Sequence, residues 1–126
     1  MPELPEVESV ATALRSLTGR RLTGLRAPFR GVLGQSLPAT RRALVGKPLT
    51  GVHRHGKYMI LNFAAAGGDP AHLMVHLRMT GQFFILEDYV PDKHVHVMFE
   101  FGDLPVHYRD IRKFGRLTLV EDGERP

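Results

Sequence analysis

The chain opens Met1-Pro2-Glu3-Leu4-Pro5-Glu6, which puts a proline at the second position and an acid directly after it. Removal of Met1 would leave the Pro2 nitrogen as a free secondary amine. A chain-terminal amine titrates near ~8 and a lysine near ~10.4, so far more of the former is neutral and nucleophilic at neutral pH. A secondary amine attacking an aldehyde-like carbon gives an iminium. Its fixed positive charge draws electrons from the attached carbon skeleton and promotes elimination. Glu3 is an acid–base group beside that nucleophile. The same residues also suit a plain helix start: Pro2 and Pro5 fit a first turn, and Glu3, Glu6 and Glu8 favour its positive end. With Met1 retained, Pro2 is an amide and cannot attack.

Further candidates recur along the chain. Lys57 lies between Gly56 and Tyr58 at the start of an apolar strand pattern. It can place a compact charge on phosphate or move a proton, or it can be an edge lysine that blocks strand pairing. Met79 and Phe114 have glycine and threonine neighbours that favour loops. They read either as exposed wedges, of the kind inserted when a base is flipped from a duplex, or as core. Arg109, Arg112, Lys113 and Arg116 are a basic cluster, interleaved with Tyr108 and Phe114. Such a cluster tracks a phosphate backbone or forms a solvated charged face. His94 and His96 alternate as on one strand face, and His72 and His76 lie four apart. Neither pair has an acidic or cysteine partner at ligand spacing, so no metal site is expected.

The elements that must position these residues follow from periodicity. Val7, Val10, Ala11, Leu14 and Leu17 predict a helix over Pro5 to Thr18, stopped by Gly19. Its apolar face must pack on a core, which holds the N-terminal end in place. A second short helix is predicted over Pro38 to Val45. Strands are predicted at Arg21–Ala27, Gly51–Arg54, Tyr58–Phe63, His72–His76, Gln82–Leu86, His94–Phe101, Val106–Tyr108 and Arg116–Val120. Short strands at this spacing suggest a sandwich or barrel, so the fold class is α+β and mostly β.

At 126 residues the chain suffices for one domain with a real core. Hydrophobic content is 43%, net charge is +4 and the pI is near 9.9. A basic balance of this size suits a polyanion partner. The sequence has no cysteine, hence no disulfide and no thiolate metal site. No transmembrane run or signal-peptide pattern is present, and a cytoplasmic, monomeric protein with no membrane partner is expected.

The start MPELPEVE resembles that of the formamidopyrimidine-DNA glycosylases, bacterial-type base-excision repair enzymes. Arg54-His55-Gly56-Lys57-Tyr58 resembles that family's lysine segment. His76-Leu77-Arg78-Met79-Thr80-Gly81 is similar to its methionine loop, and Tyr108-Arg109-Asp110-Ile111-Arg112-Lys113-Phe114-Gly115 to its arginine–phenylalanine loop. Four motifs in order over the whole chain are far more specific than any one. Ile111 departs from the proline common in relatives, and Lys113 from arginine or a neutral residue.

The resemblance implies a flattened, barrel-like two-layer β-sandwich flanked by two helices, with the N-terminal helix carrying the active site. It implies a DNA N-glycosylase and abasic-site lyase for oxidised purines, including formamidopyrimidines and 8-oxoguanine. Pro2 would be the Schiff-base nucleophile, Glu3 the proton shuttle, Glu6 a supporting acid, and Lys57 a phosphate contact and proton donor. His76 and His94 would hold phosphates of damaged double-stranded DNA. Met79 would fill the void of the flipped base, Arg112 would face the estranged base and Phe114 would wedge beside it. Relatives also carry a helix–two-turns–helix domain and a C-terminal zinc finger. Residues 1–120 are therefore expected to be the N-terminal domain alone, with 121–126 starting a linker and zinc confined to the other domain. The rival readings are a non-catalytic DNA-binding module of the same fold and a small ribosomal-type basic β-domain.

Overall fold

The computed structural model describes residues 4–65, 68–85 and 92–121, with side chains from Glu6 onward. In chain order the elements are α1 (Leu4–Arg15), β1 (Gly24–Arg26), a 3-10 turn (Arg30–Val32), α2 (Leu37–Leu44), β2 (Leu49–His55), β3 (Tyr58–Phe63), β4 (Ala71–His76), β5 (Gly81–Phe84), β6 (Val95–Phe101), β7 (Leu104–Asp110) and β8 (Arg116–Val120). The strands form two four-stranded antiparallel sheets, ordered β1-β6-β7-β5 and β2-β3-β4-β8. The expected mostly-β, two-layer architecture with two helices is the one observed.

Both helices form where the pattern places them. In α1 the buried residues Val7, Ala11 and Leu14 recur at helical spacing and join one core cluster with the sheets. The helix packs on β2 and β3. It ends at Arg15 rather than Thr18: Ser16 to Thr18 form a turn that closes on Gly19, whose φ of +93° favours glycine. The Ser36 hydroxyl caps α2 by accepting the Ala39 N–H at 3.1 Å, with Pro38 in the first turn.

Polar contacts fix α1 against β2. Glu8 accepts from Arg15 and from Arg54, each at 2.7 Å, and Arg15 Nε donates to the Val52 carbonyl at 3.0 Å. The hydrogen bonds from Arg15 and then Arg54 hold the Glu8 carboxyl below its ordinary range. The helix start is thus anchored by apolar burial and by a strand-to-helix ion pair.

The sheet pairing decides where the site falls. The chain passes from one sheet to the other between β4 and β5, and returns between β7 and β8. Gly81 pairs with Asp110, and His76 pairs with Arg116. The two crossovers, residues 77–80 and 111–115, therefore lie side by side. They are the segments carrying Met79 and Phe114.

β2, β4 and β7 run longer than the Gly51–Arg54, His72–His76 and Val106–Tyr108 expected, and three further strand expectations need correction. Only Gly24–Arg26 is a strand within 21–27, with Arg21 making an isolated bridge to Pro48. The Gln82–Leu86 strand is Gly81–Phe84, and Leu86 lies outside the described residues. His94 precedes β6 in a turn, and the register shifts between Val95 and Val97. That bulge breaks the alternation, so His94 and His96 do not share a strand face.

Candidate functional site

Asp110 ties the two crossovers together. It is fully buried at the end of β7. One carboxylate oxygen accepts the Tyr108 hydroxyl at 2.7 Å and the Gly115 N–H at 2.8 Å; the other accepts the Thr80 hydroxyl at 2.5 Å and the Arg112 N–H at 3.2 Å. Burial alone would push this carboxyl up. The four hydrogen bonds, led by those from Thr80 and Tyr108, outweigh it and hold Asp110 below the ordinary aspartate range. Burial, then the bond to Asp110, pushes the Tyr108 phenol up.

A carboxyl lowered in the folded state contributes stability that is present above its unfolded value and lost as pH falls through the folded one. The site is therefore expected to loosen only below about pH 4, near the unfolded aspartate value. Acid melts should show this loss, and Asp110→Asn should flatten the profile below pH 4 while lowering stability at neutral pH.

Around this knot the loops present apolar side chains outward. Met79 is 50% exposed and Phe114 48% exposed. The core alternative for both is thereby excluded. Arg112 joins them: its guanidinium carbon lies 4.9 Å from the Phe114 ring centre, and Nη1 is 3.8 Å from the Met79 sulfur. Arg78, Met79, Phe114 and Arg116 line an open cleft of about 450 Å³. The residue before each apolar side chain takes a left-handed backbone, Arg78 at φ +58° and Lys113 at φ +59°. Neither is a glycine, so each loop stores strain of about 1 kcal/mol or more.

Glu6 brings the helix start to this place. It lines a smaller cleft with Met79, Thr80, Gly81, Gln82 and Ile111. Pro2 and Glu3 lie outside the described residues. Leu4, the first described residue, begins α1 two positions before Glu6.

Lys57 is exposed in the two-residue turn joining β2 to β3, after Gly56 at φ +58°. It belongs to neither strand, so it does not serve as a lysine within an edge strand. Tyr58 and His76 are cross-strand partners with rings in edge contact at 4.6 Å. His76 is buried, and its Nδ1 accepts the Arg78 N–H at 3.0 Å, which leaves the proton on Nε2. Burial first, then the positive charges of Arg78 and Lys57, holds His76 below its usual range. It is therefore an uncharged donor at neutral pH. His94 is half-buried, with its N–H on Asp92 at 2.9 Å.

Two members of the basic and aromatic cluster are not part of this surface. Tyr108 is 0% exposed, so it supports the loops from the core and is no stacking platform. Arg109 is held by Asp92 at 3.0 Å and by Gln82 at 3.2 Å. Lys113 sits over the Phe29 ring at 4.4 Å, and Arg116 donates to the Lys113 and Gly115 carbonyls. Neither histidine pair gathers around a common point. His96 is on the Asp110 carbonyl at 2.7 Å and His72 on the Asn62 amide oxygen at 2.7 Å. Four positions along β4 separate His72 from His76 by about 13 Å. Among the described residues no group of three or more His, Asp or Glu could hold a metal. With no cysteine either, this chain's residues do not fit the zinc finger that the resemblance implies for another domain.

The supporting residues were the ones missed. Asp110, Thr80 and Gly115 lie inside the quoted motifs, but their role comes from burial. The signal that was present is an acid between two arginines at a strand end, followed by a glycine five residues on.

The two-sheet domain thus presents apolar and cationic side chains on paired crossovers. The family model for the formamidopyrimidine-DNA glycosylase N-terminal domain matches residues 1–117, and the chain belongs to this family. It is 37% identical over 127 residues to the formamidopyrimidine-DNA glycosylase of Latilactobacillus sakei, covering 98% of this chain and 44% of that one. The Carboxydothermus hydrogenoformans enzyme is 36% identical, covering 100% of this chain and 48% of that one. Among solved structures, a complex of LlFpg with a THF-DNA and an inhibitor matches at a TM-score of 0.85 and 34% identity, over 94% of this chain and 43% of that one. The Lactococcus lactis Fpg bound to a FAPY-dG containing DNA matches at 0.84 and 33%, over 94% of this chain and 44% of that one. The chain thus spans about half the length of the relatives it matches.

Proposed function

We propose that this chain is the catalytic half of a base-excision repair glycosylase that removes oxidised purines and then cleaves at the abasic site. The observation that carries the reading is the exposure of Met79 and Phe114 on two crossovers locked side by side by Asp110, next to the helix start. Exposed apolar side chains flanked by arginines suit insertion into a base stack. Met79 fills the space of the extruded nucleotide, Phe114 holds the adjacent step apart and Arg112 donates to the base left without a partner.

The extruded sugar then meets Pro2. The Pro2 nitrogen lone pair forms a bond to C1′, and the base leaves with the electrons of its glycosidic bond. Glu3 carries the proton that opens the sugar ring, and Glu6 supports the site. The iminium makes the neighbouring carbon acidic, and loss of its proton expels the 3′ phosphate. Lys57 and the uncharged His76, with His94, contact phosphates. The substrate class rests on the likeness to relatives solved with FAPY-dG and 8-oxo-G containing DNA.

Phe114→Ala separates a wedge from a structural residue. It should change stability by less than about 0.5 kcal/mol, as exposed substitutions usually do. Excision from a damaged duplex should slow, while cleavage at a pre-formed abasic site, which has no base to unstack, should suffer less. Thermal melting and two-substrate kinetics check this. Equal slowing on both substrates would refute the wedge.

A further inference from the structure

The charge of this chain is strongly segregated. Between Ser9 and Gly68 lie ten of its 17 Lys and Arg residues and none of its 13 Asp and Glu residues. Two of those ten, Arg15 and Arg54, are taken by Glu8. Several of the others converge on the edge formed by α2 and β1. An open cleft of about 600 Å³ there is lined by Gly24, Leu25, Arg26, Arg41, Arg42 and Val45. It shares no residue with the wedge cleft. β1 is the opposite edge of its sheet from β5, about 14 Å away at ordinary strand spacing.

One of the three guanidiniums lining the cleft is held by backbone. Arg41 Nε donates to the Leu25 carbonyl at 2.8 Å, which pins it along the edge strand. Arg21, outside the cleft, donates to the Gly46 carbonyl two residues past the end of α2. Arg42 is exposed and has no hydrogen bond or ion pair among the described residues. Among the described residues Glu100 is the acid paired here, to Arg26 at 3.7 Å, and it offsets one of the three arginine charges lining the cleft. A backbone-anchored arginine flanked by two exposed ones along a groove fits the spaced oxyanions of a phosphate backbone.

We infer that the α2–β1 edge is a second nucleic-acid site, which takes the phosphate backbone of a DNA segment other than the one at the wedge loops. Binding there reads charge and not sequence. A protein that holds two segments moves between them without full release, which suits a search for rare lesions.

The test is the stoichiometry and salt dependence of binding to short undamaged duplexes at low salt, by sedimentation. The chain should reach one protein on two duplexes. Arg26→Gln with Arg42→Gln should reduce this to one-to-one and lower the slope of log K against log salt by about 1.8, two phosphate contacts at 0.9 each. Circular dichroism should show the double variant folded. A double variant that keeps two duplexes overturns the inference, as does a native chain that never exceeds one. Capture by anionic lipid vesicles that depends on these arginines, without a second duplex, overturns it too. The outcome is separable from the glycosylase reading: one-to-one binding with lesion preference sinks only this site, and two duplexes without lesion preference sink only that reading.

Discussion

Gly115→Ala is expected to lower stability by about 3 kcal/mol, the upper range for overpacking a tight site. A methyl group at this buried position would fall 1.8 Å from the Tyr108 hydroxyl oxygen and 2.9 Å from an Asp110 carboxylate oxygen. The His76 carbonyl, at 3.0 Å, closes the third side. No rotation of a flexible side chain makes room, since Tyr108 is itself in the core. The loop must move outward, which breaks the 2.8 Å bond from the Gly115 N–H to Asp110. The midpoint of melting should drop by roughly 10 °C for a domain of this size. Lesion excision should fall further than stability explains, because Phe114 is the adjacent residue. Tyr108→Phe removes the clashing oxygen, so Gly115→Ala should cost at least about 1 kcal/mol less in that background. Simple additivity in this cycle would show that the clash is not the cause.

Much of the fold was legible because its local signals agree with its packing. β3 and β8 fall on the residues that alternation and flanking turns predict, and α2 lies within one residue of its expected bounds. The errors fall where tertiary context overrides local pattern. His94 and His96 alternate in sequence, yet a bulge at the start of β6 breaks their register. Tyr108 reads as a surface aromatic among arginines, yet its strand position turns it inward onto Asp110. Arg109 reads as a phosphate contact, but Asp92, seventeen residues away, holds it. The left-handed backbone at Arg78 and Lys113 had no signal, because neither position is a glycine. Motif resemblance located the exposed loops. Only the pairing of Gly81 with Asp110 and of His76 with Arg116 explains why they meet.

The same geometry divides the labour among the site residues. Asp110 and Tyr108 hold the loops without reaching the surface, and Met79, Arg112 and Phe114 form that surface. α1 is fixed to β2 through Glu8 and Arg54, so its first described turn has a defined position against the sheet.

The most direct test of this account is trapping with borohydride on DNA containing an abasic site. The chain with Met1 removed should form a covalent adduct, because reduction of the iminium fixes the bond between the Pro2 nitrogen and C1′. The same chain with that nitrogen acetylated should form none. Equal trapping by the acetylated chain, or no trapping by the free amine, would contradict Pro2 as the nucleophile.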